Sequence, residues 1–190
     1  QEQRTTAPGH FPEPSRYRNL VSGETYALGL VGTYQKHNLA TVLATCDVLN
    51  RHGLTISPKA IQLGLAQVVW PGRFQVLESV RLIVDGSHNL DGFKSLKQTC
   101  QTQLPQTMGL FVGLSLQKNR PLEMALPLLQ DLPQTVLGVV CTQPKDKVGL
   151  YHTPMELRRF LRDHSPALRT RPIWAAESPA EALWMLQRWL

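Results

Sequence analysis

Leu82-Ile83-Val84-Asp85-Gly86-Ser87-His88-Asn89-Leu90 decides how the second half of this chain is read. An apolar run ends at Asp85-Gly86-Ser87, residue types that suit a turn. From Leu90 onward Phe93, Leu96 and Cys100 recur at helical spacing, which predicts a helix over residues 90–103. The alternation then continues, with strands expected at residues 110–114, 136–141 and 172–175 and a helix at 122–129. Thr153-Pro154-Met155-Glu156 and Ser178-Pro179-Ala180-Glu181 each offer a hydroxyl cap, a proline at the first helical position and a glutamate to close the box. They open two further helices, the first reaching about His164. Residues 76–190 therefore read as an α/β unit with a Rossmann-like, mostly parallel sheet flanked by helices. Ligands in such sheets sit beyond the carboxyl ends of strands, where residues 85–89 are expected.

The earlier part has a different grain. Residues 26–31 are a short apolar strand candidate. Leu39, Val42, Leu43, Cys46 and Leu49 predict a helix over residues 38–52, stopped by Gly53. Ser57-Pro58 opens a second helix with Ile61, Leu65 and Val68 on one face. Trp70-Pro71-Gly72-Arg73 breaks it and marks a boundary, so residues 1–75 form one unit and 76–190 another. Residues 1–17, polar and proline-containing, read as a loop.

Composition narrows the class. Among 190 residues, 42% are hydrophobic and 18% charged, enough for a packed core and too apolar for a disordered chain. No apolar run approaches the roughly 20 residues of a membrane helix, so a cytoplasmic protein with no membrane partner is expected. Cys46, Cys100 and Cys141 are widely spaced in apolar surroundings and read as reduced core residues. The net charge of +6 favours anionic partners such as nucleotides. Arg158, Arg159, Arg162, Arg169 and Arg171 supply much of that charge and read as a solvated helix face and loop. No helix-turn-helix, zinc-ligand or aromatic RNA-binding signature accompanies it, so nucleic acid is not an expected partner.

Three segments can carry chemistry. In Gly32-Thr33-Tyr34-Gln35-Lys36-His37-Asn38, at a helix start, the Asn38 amide either pairs with a base edge or simply caps the helix. Arg73, after the Pro71-Gly72 turn, either presents its planar fork to phosphate oxygens or lies in solvent. Asp85 can accept from ribose hydroxyls, and His88 can donate to an anion or exchange a proton near neutral pH; an Asx-type turn is the alternative.

Together, in this order, the segments resemble the folylpolyglutamate/dihydrofolate synthase family of the Mur ligase superfamily. That family has H-Q-x-x-N-A at a helix start, W-P-G-R at the end of its ATPase domain and D-G-A-H-N-P after the first strand of its C-terminal domain. This chain has Tyr34-Gln35-Lys36-His37-Asn38-Leu39, Trp70-Pro71-Gly72-Arg73 and Asp85-Gly86-Ser87-His88-Asn89-Leu90. The resemblance implies the helical end of an ATPase domain (1–75) followed by a C-terminal α/β domain (76–190) whose last strand would lie downstream. It implies an ATP-dependent acid–amino-acid ligase that adds L-glutamate to dihydropteroate or a folate through an acyl phosphate. Asn38 would contact adenine, Arg73 the phosphates and Asp85 the ATP from the C-terminal side. His88 would lie near the reacting carboxylate and amine.

ATP and Mg2+ are the implied cofactors. The metal ligands and phosphate loop are expected upstream, since no G-x-x-x-x-G-K-[ST] occurs in the chain, and the chain alone is expected to be inactive. A monomer is expected. Tyr34 replaces the family's histidine, Ser87 and Leu90 its alanine and proline, and Gln117-Lys118-Asn119 its acidic D-K-D segment. These departures leave, as the alternative, a non-catalytic nucleotide-binding or interaction module on the same fold.

Overall fold

The computed structural model describes residues 2–3, 15–106, 108–130 and 135–189. Most of the expected loop over residues 1–17 lies outside the described residues. The chain forms two compact units, Gln1–Gly86 and Ser87–Leu190. The boundary anticipated after Gln75 therefore falls inside the first of them.

In the first unit, β1 (Glu2–Gln3), β2 (Arg16–Arg18) and β3 (Thr25–Ala27) form an antiparallel sheet. Tyr17 and Tyr26 sit opposite each other and both point inward, as the two-residue period of a strand requires. They pack with Leu28, Leu39 and Leu65 from helices α1 (Gln35–Arg51) and α2 (Pro58–Gln67) and the segment before them. Gly29 makes this join possible: its N–H donates to Leu65 O, and a Cβ there would lie 2.6 Å from Val68 O. Helix α2 starts as expected, with the Ser57 hydroxyl accepting from Ala60 N and Pro58 in the first turn.

The segment 75–84 corrects the sequence reading. Leu82–Val84 (β5) does not begin the parallel sheet; it pairs antiparallel with β4 (Gln75–Leu77) as a hairpin. The chain reverses through a tight helical turn at Glu78–Val80 followed by Arg81 in the left-handed region, at φ 51°. An apolar run specifies a strand but not its partner, and Arg81 carries no glycine-like signal of the reversal.

The second unit holds the parallel sheet. Strands β6 (Gly109–Leu114), β7 (Thr135–Cys141) and β8 (Ile173–Ala175) lie side by side in that order, all parallel. Val139 and Cys141 face a core built with Phe93 of α3 (Leu90–Gln103), Leu128 and Leu129 of α4 (Leu126–Leu129), and Leu157 and Leu161 of α5 (Pro154–His164). Val140 faces the other way, onto Ala182 and Leu186 of α6 (Pro179–Gln187). Helices thus cover both faces. Thr153 caps α5 with Glu156 closing a capping box, and Ser178 caps α6. Of the three cysteines, none of them in a disulfide, only Cys141 is fully buried; Cys46 and Cys100 are half-buried.

Candidate functional site

Helix α1 begins at Gln35, three residues before the start expected at Asn38. Tyr34 holds the N-cap position with no side-chain cap bond, so Asn38 is not the cap. Instead the Asn38 carboxamide nitrogen donates to Gln35 Oε1 at 2.8 Å, across the first turn. Gln35 itself is almost fully buried, at 2% exposure, whereas Asn38 is exposed. Gly32 enters the helix with φ 134°, and a Cβ on it would meet the Tyr34 ring at 2.8 Å. Only glycine fits both the dihedral and the ring.

Arg73 sits on the turn that ends α2's exit. Gly72 there has φ 74° and Phe74 φ 44°, and Gly86 N donates to Gly72 O at 2.7 Å. Asp85 locks the same turn: its Oδ2 accepts from Phe74 N at 2.9 Å. Phe74, at 2% exposure, anchors the turn from below while the Arg73 side chain stays exposed.

These pieces border a cavity of about 740 Å³ in the first unit. Tyr34, Gln35 and Asn38 line its polar side with Arg73, and Leu39, Ile61, Leu65 and Trp70 supply apolar walls. Burial pushes the Tyr34 hydroxyl above its ordinary range and the Asp85 carboxylate adds to the rise, while Arg73 and a Gln35 hydrogen bond oppose it. Asp85 and Arg73 therefore both act on Tyr34. An apolar-walled space lined also by Asn38 and Arg73 suits a ring carrying an anion.

His88 belongs to the second unit. It lies exposed just before Asn89, whose Oδ1 caps α3 by accepting from Gly92 N at 2.7 Å. Because α3 runs back to the start of β6, its N-terminus lies at the carboxyl side of the parallel sheet. The same side holds buried polar groups that the sequence reading passed over. Ser115 Oγ follows β6, and Thr142 Oγ1 and Gln143 Oε1 follow β7; all three are enclosed without a protein hydrogen-bond partner.

No family model matches the chain. It is 27% identical over 115 residues to dihydrofolate synthase/folylpolyglutamate synthase of Bacillus subtilis (strain 168), covering 60% of this chain and 26% of the relative. With folylpolyglutamate synthase of Lacticaseibacillus casei it shares 33% over 92 residues, 47% of this chain and 22% of the relative. Mycobacterium tuberculosis folylpolyglutamate synthase, solved with ADP and AMPPCP, superposes over 100% of this chain and 40% of its own, at TM-score 0.73 and 21% identity. By sequence and fold, the chain is similar to part of the folylpolyglutamate/dihydrofolate synthases. It spans about a quarter of the length of these curated relatives. E. coli FolC in complex with DHPP and ADP superposes over 96% of this chain and 39% of its own, at TM-score 0.65 and 24% identity.

Of the four residues singled out for a synthase-type site, the fold brings Asn38 and Arg73 to one cavity and Asp85 to the turn beside it. His88 lies in the other unit. Tyr34 and Gln35 belong to the first motif, but their residue types alone give them no role there. The spacing of three between Gln35 and Asn38 on a helix is the signal that pairs them.

Proposed function

We propose that this chain is the C-terminal part of an ATP-dependent ligase that joins L-glutamate to the carboxylate of a dihydropteroate or a folate through an acyl phosphate. The observation carrying this reading is the gathering of Asn38, Tyr34 and Arg73 on one cavity, with Asp85 bearing on both Tyr34 and the Arg73 turn. The relatives crystallised with ADP, AMPPCP and DHPP give the ligand class.

Adenine would enter between the apolar walls, its edge met by Asn38. Gln35 holds one N–H of that amide, leaving Asn38 with an oxygen and a second N–H to offer. Arg73 would meet the phosphate oxygens with its fork and steady the charge that builds as the terminal phosphoryl passes to the substrate carboxylate. Asp85 would hold the turn while accepting from ribose. The glutamate amine then attacks the acyl carbon, the tetrahedral centre collapses, and phosphate leaves. His88, exposed ahead of α3, would donate to that centre or take the amine's proton. Among the described residues no group of three or more His, Cys, Asp or Glu side chains is gathered to hold a metal ion. No helix among them is long and apolar enough to cross a membrane; a cytoplasmic site of action is part of the proposal.

In the ligase that carries this chain, Arg73→Ala is expected to lower kcat/KM by about a hundredfold, or about 3 kcal/mol. Arg73→Lys should recover part of the loss, since it keeps the charge without the fork. Asp85→Asn should raise the apparent KM for ATP more than it lowers kcat. Steady-state kinetics with varied ATP decide the matter. Unchanged constants for both Arg73→Ala and Asp85→Asn would remove these residues from the site.

A further inference from the structure

We propose that the second unit carries a separate ligand site, at the amino ends of its parallel strands, for a planar aromatic phosphate of nucleoside monophosphate size. A cavity of about 730 Å³ opens there, lined by Phe111, Leu137 and Trp189 and by Arg162, Arg169 and Arg171. Phe111 and Leu137 lie in the first halves of β6 and β7, and Pro172 on its rim directly precedes β8. The carboxyl side, with Thr142, lies about 17 Å further along β7 at about 3.3 Å per residue. This cavity is thus at the opposite end of the sheet from His88, and it belongs to a different unit from Arg73 and Asn38.

Its walls are fixed in two ways. Trp189 packs 5.3 Å from Trp174 and 6.5 Å from Phe111, centroid to centroid, yet remains 61% exposed, so one ring edge and face are held while much of the indole stays open. Arg162 Nη1 donates to the carbonyls of Leu168, Arg169 and Arg171, at 3.4, 3.2 and 3.2 Å. That tie sets the loop from which Arg169 and Arg171 project. Neither of their side chains is paired with a carboxylate among the described residues. Arg162, Arg169 and Arg171 bring three positive charges to one cavity, and no acidic residue of its lining offsets them. An anion does so, and the guanidinium fork matches phosphate oxygens in pairs. The open Trp189 face would take the ring by stacking. The volume falls within the roughly 300–1,000 Å³ of small-ligand sites. Solvated arginines on a convex surface would share the charge but neither the cavity nor the aromatic wall.

The test follows the four tryptophan indole N–H signals of the 15N-labelled chain by NMR while AMP, adenosine or inorganic phosphate is added. AMP is expected to shift Trp189 saturably, with adenosine and phosphate each needing about tenfold more or higher, since each supplies half of the recognition. Arg169→Gln with Arg171→Gln should weaken AMP about tenfold or more at Trp189 while the amide spectrum of the unit is preserved. Should that pair disturb folding, Arg169→Lys with Arg171→Lys keeps the charge, loses the fork and should still weaken AMP measurably. Trp70 lines the other cavity, and its indole reports that site separately. A Trp189 shift that survives Arg73→Ala therefore supports this site whatever becomes of the ligase reading. Silence of Trp189 to AMP, an equal response to adenosine, or wild-type affinity in a folded arginine double variant would each overturn the proposal.

Discussion

In Ser87–Leu190 the central strand is covered from both sides, with Val139, Val140 and Cys141 at zero exposure. In Gln1–Gly86 Val42, Val48, Leu63, Val69 and Trp70 stay exposed, and Val42 and Trp70 line an open cavity. Both units use helices with apolar faces; the difference is what those faces meet. Helix α5 lays Leu157 and Leu161 on a sheet, both fully buried, whereas α1 buries only Gln35 and Leu39 among its described positions. Helical stability in proteins comes mostly from such packing rather than from propensity. The second unit should therefore carry the chain's cooperative stability, and the first should open at lower free-energy cost.

The largest expected effect tests that contrast directly. Leu161→Ala removes a side chain with zero exposure from the larger core and should cost about 2–5 kcal/mol by urea unfolding. Leu39→Ala, in the smaller cluster beside an existing cavity, should cost less, because fewer contacts are lost. Equal costs would break the comparison.

The cysteines sharpen it by reactivity. Cys141 lies between β7's covered faces and burial pushes its thiol up to about 12, with Arg158 only partly opposing the rise. Cys46 lines the open cavity of the first unit. Timed alkylation read by mass spectrometry should modify Cys46 early and Cys141 only at the rate of cooperative opening. The sign of the pH effect follows: above the ordinary thiol value of 9.0 the unfolded chain loses the Cys141 proton while the folded chain keeps it. Stability from this group is therefore present below that pH and is lost progressively toward 12. Cys141→Ala should flatten that part of the alkaline profile, and fast alkylation of Cys141 in the folded chain would contradict its enclosure.

What was legible in the sequence was local. Helix α3 matches the expected residues 90–103, and Ser57, Thr153 and Ser178 act as the caps that their residue types foretold, because a hydroxyl followed at once by a proline determines that turn. What was not legible was pairing at a distance. The apolar run at Leu82–Val84 was a strand, but its antiparallel partner came from a reversal through Arg81 that no residue type announced. The start of α1 was misplaced because Tyr34 supplies no side-chain cap, and Asn38, a favoured cap type, drew the boundary to itself. The candidate site shows the same limit. Asn38, Arg73 and Asp85 could be named one at a time from their motifs, but their shared cavity and the bond from Phe74 N to Asp85 exist only once the chain has turned back on itself.

The smallest expected effect compares one cap from each unit. Ser57 and Thr153 both accept from the third helical N–H, at 3.2 Å in each case, so Ser57→Ala and Thr153→Ala should each cost about 1 kcal/mol near neutral pH. Only α5 completes the box: Glu156 Oε2 accepts from Thr153 N at 2.8 Å, whereas the equivalent position in α2 is Ala60. The backbone N–H and the hydroxyl of Thr153 hold the Glu156 carboxyl below its ordinary range, so its folded value is depressed. Such a group contributes stability that is present above the ordinary carboxylate range and is lost as pH falls through the folded value. Urea unfolding at a series of pH values should therefore show a gap between the wild type and Glu156→Ala near neutrality that closes in acid. The cost of Ser57→Ala should stay level over the same range, because no carboxylate shares its turn. A gap for Glu156→Ala that persists unchanged into strong acid would mean that the side chain packs rather than caps, and the difference between the two helix starts would then lie in contact area and not in charge.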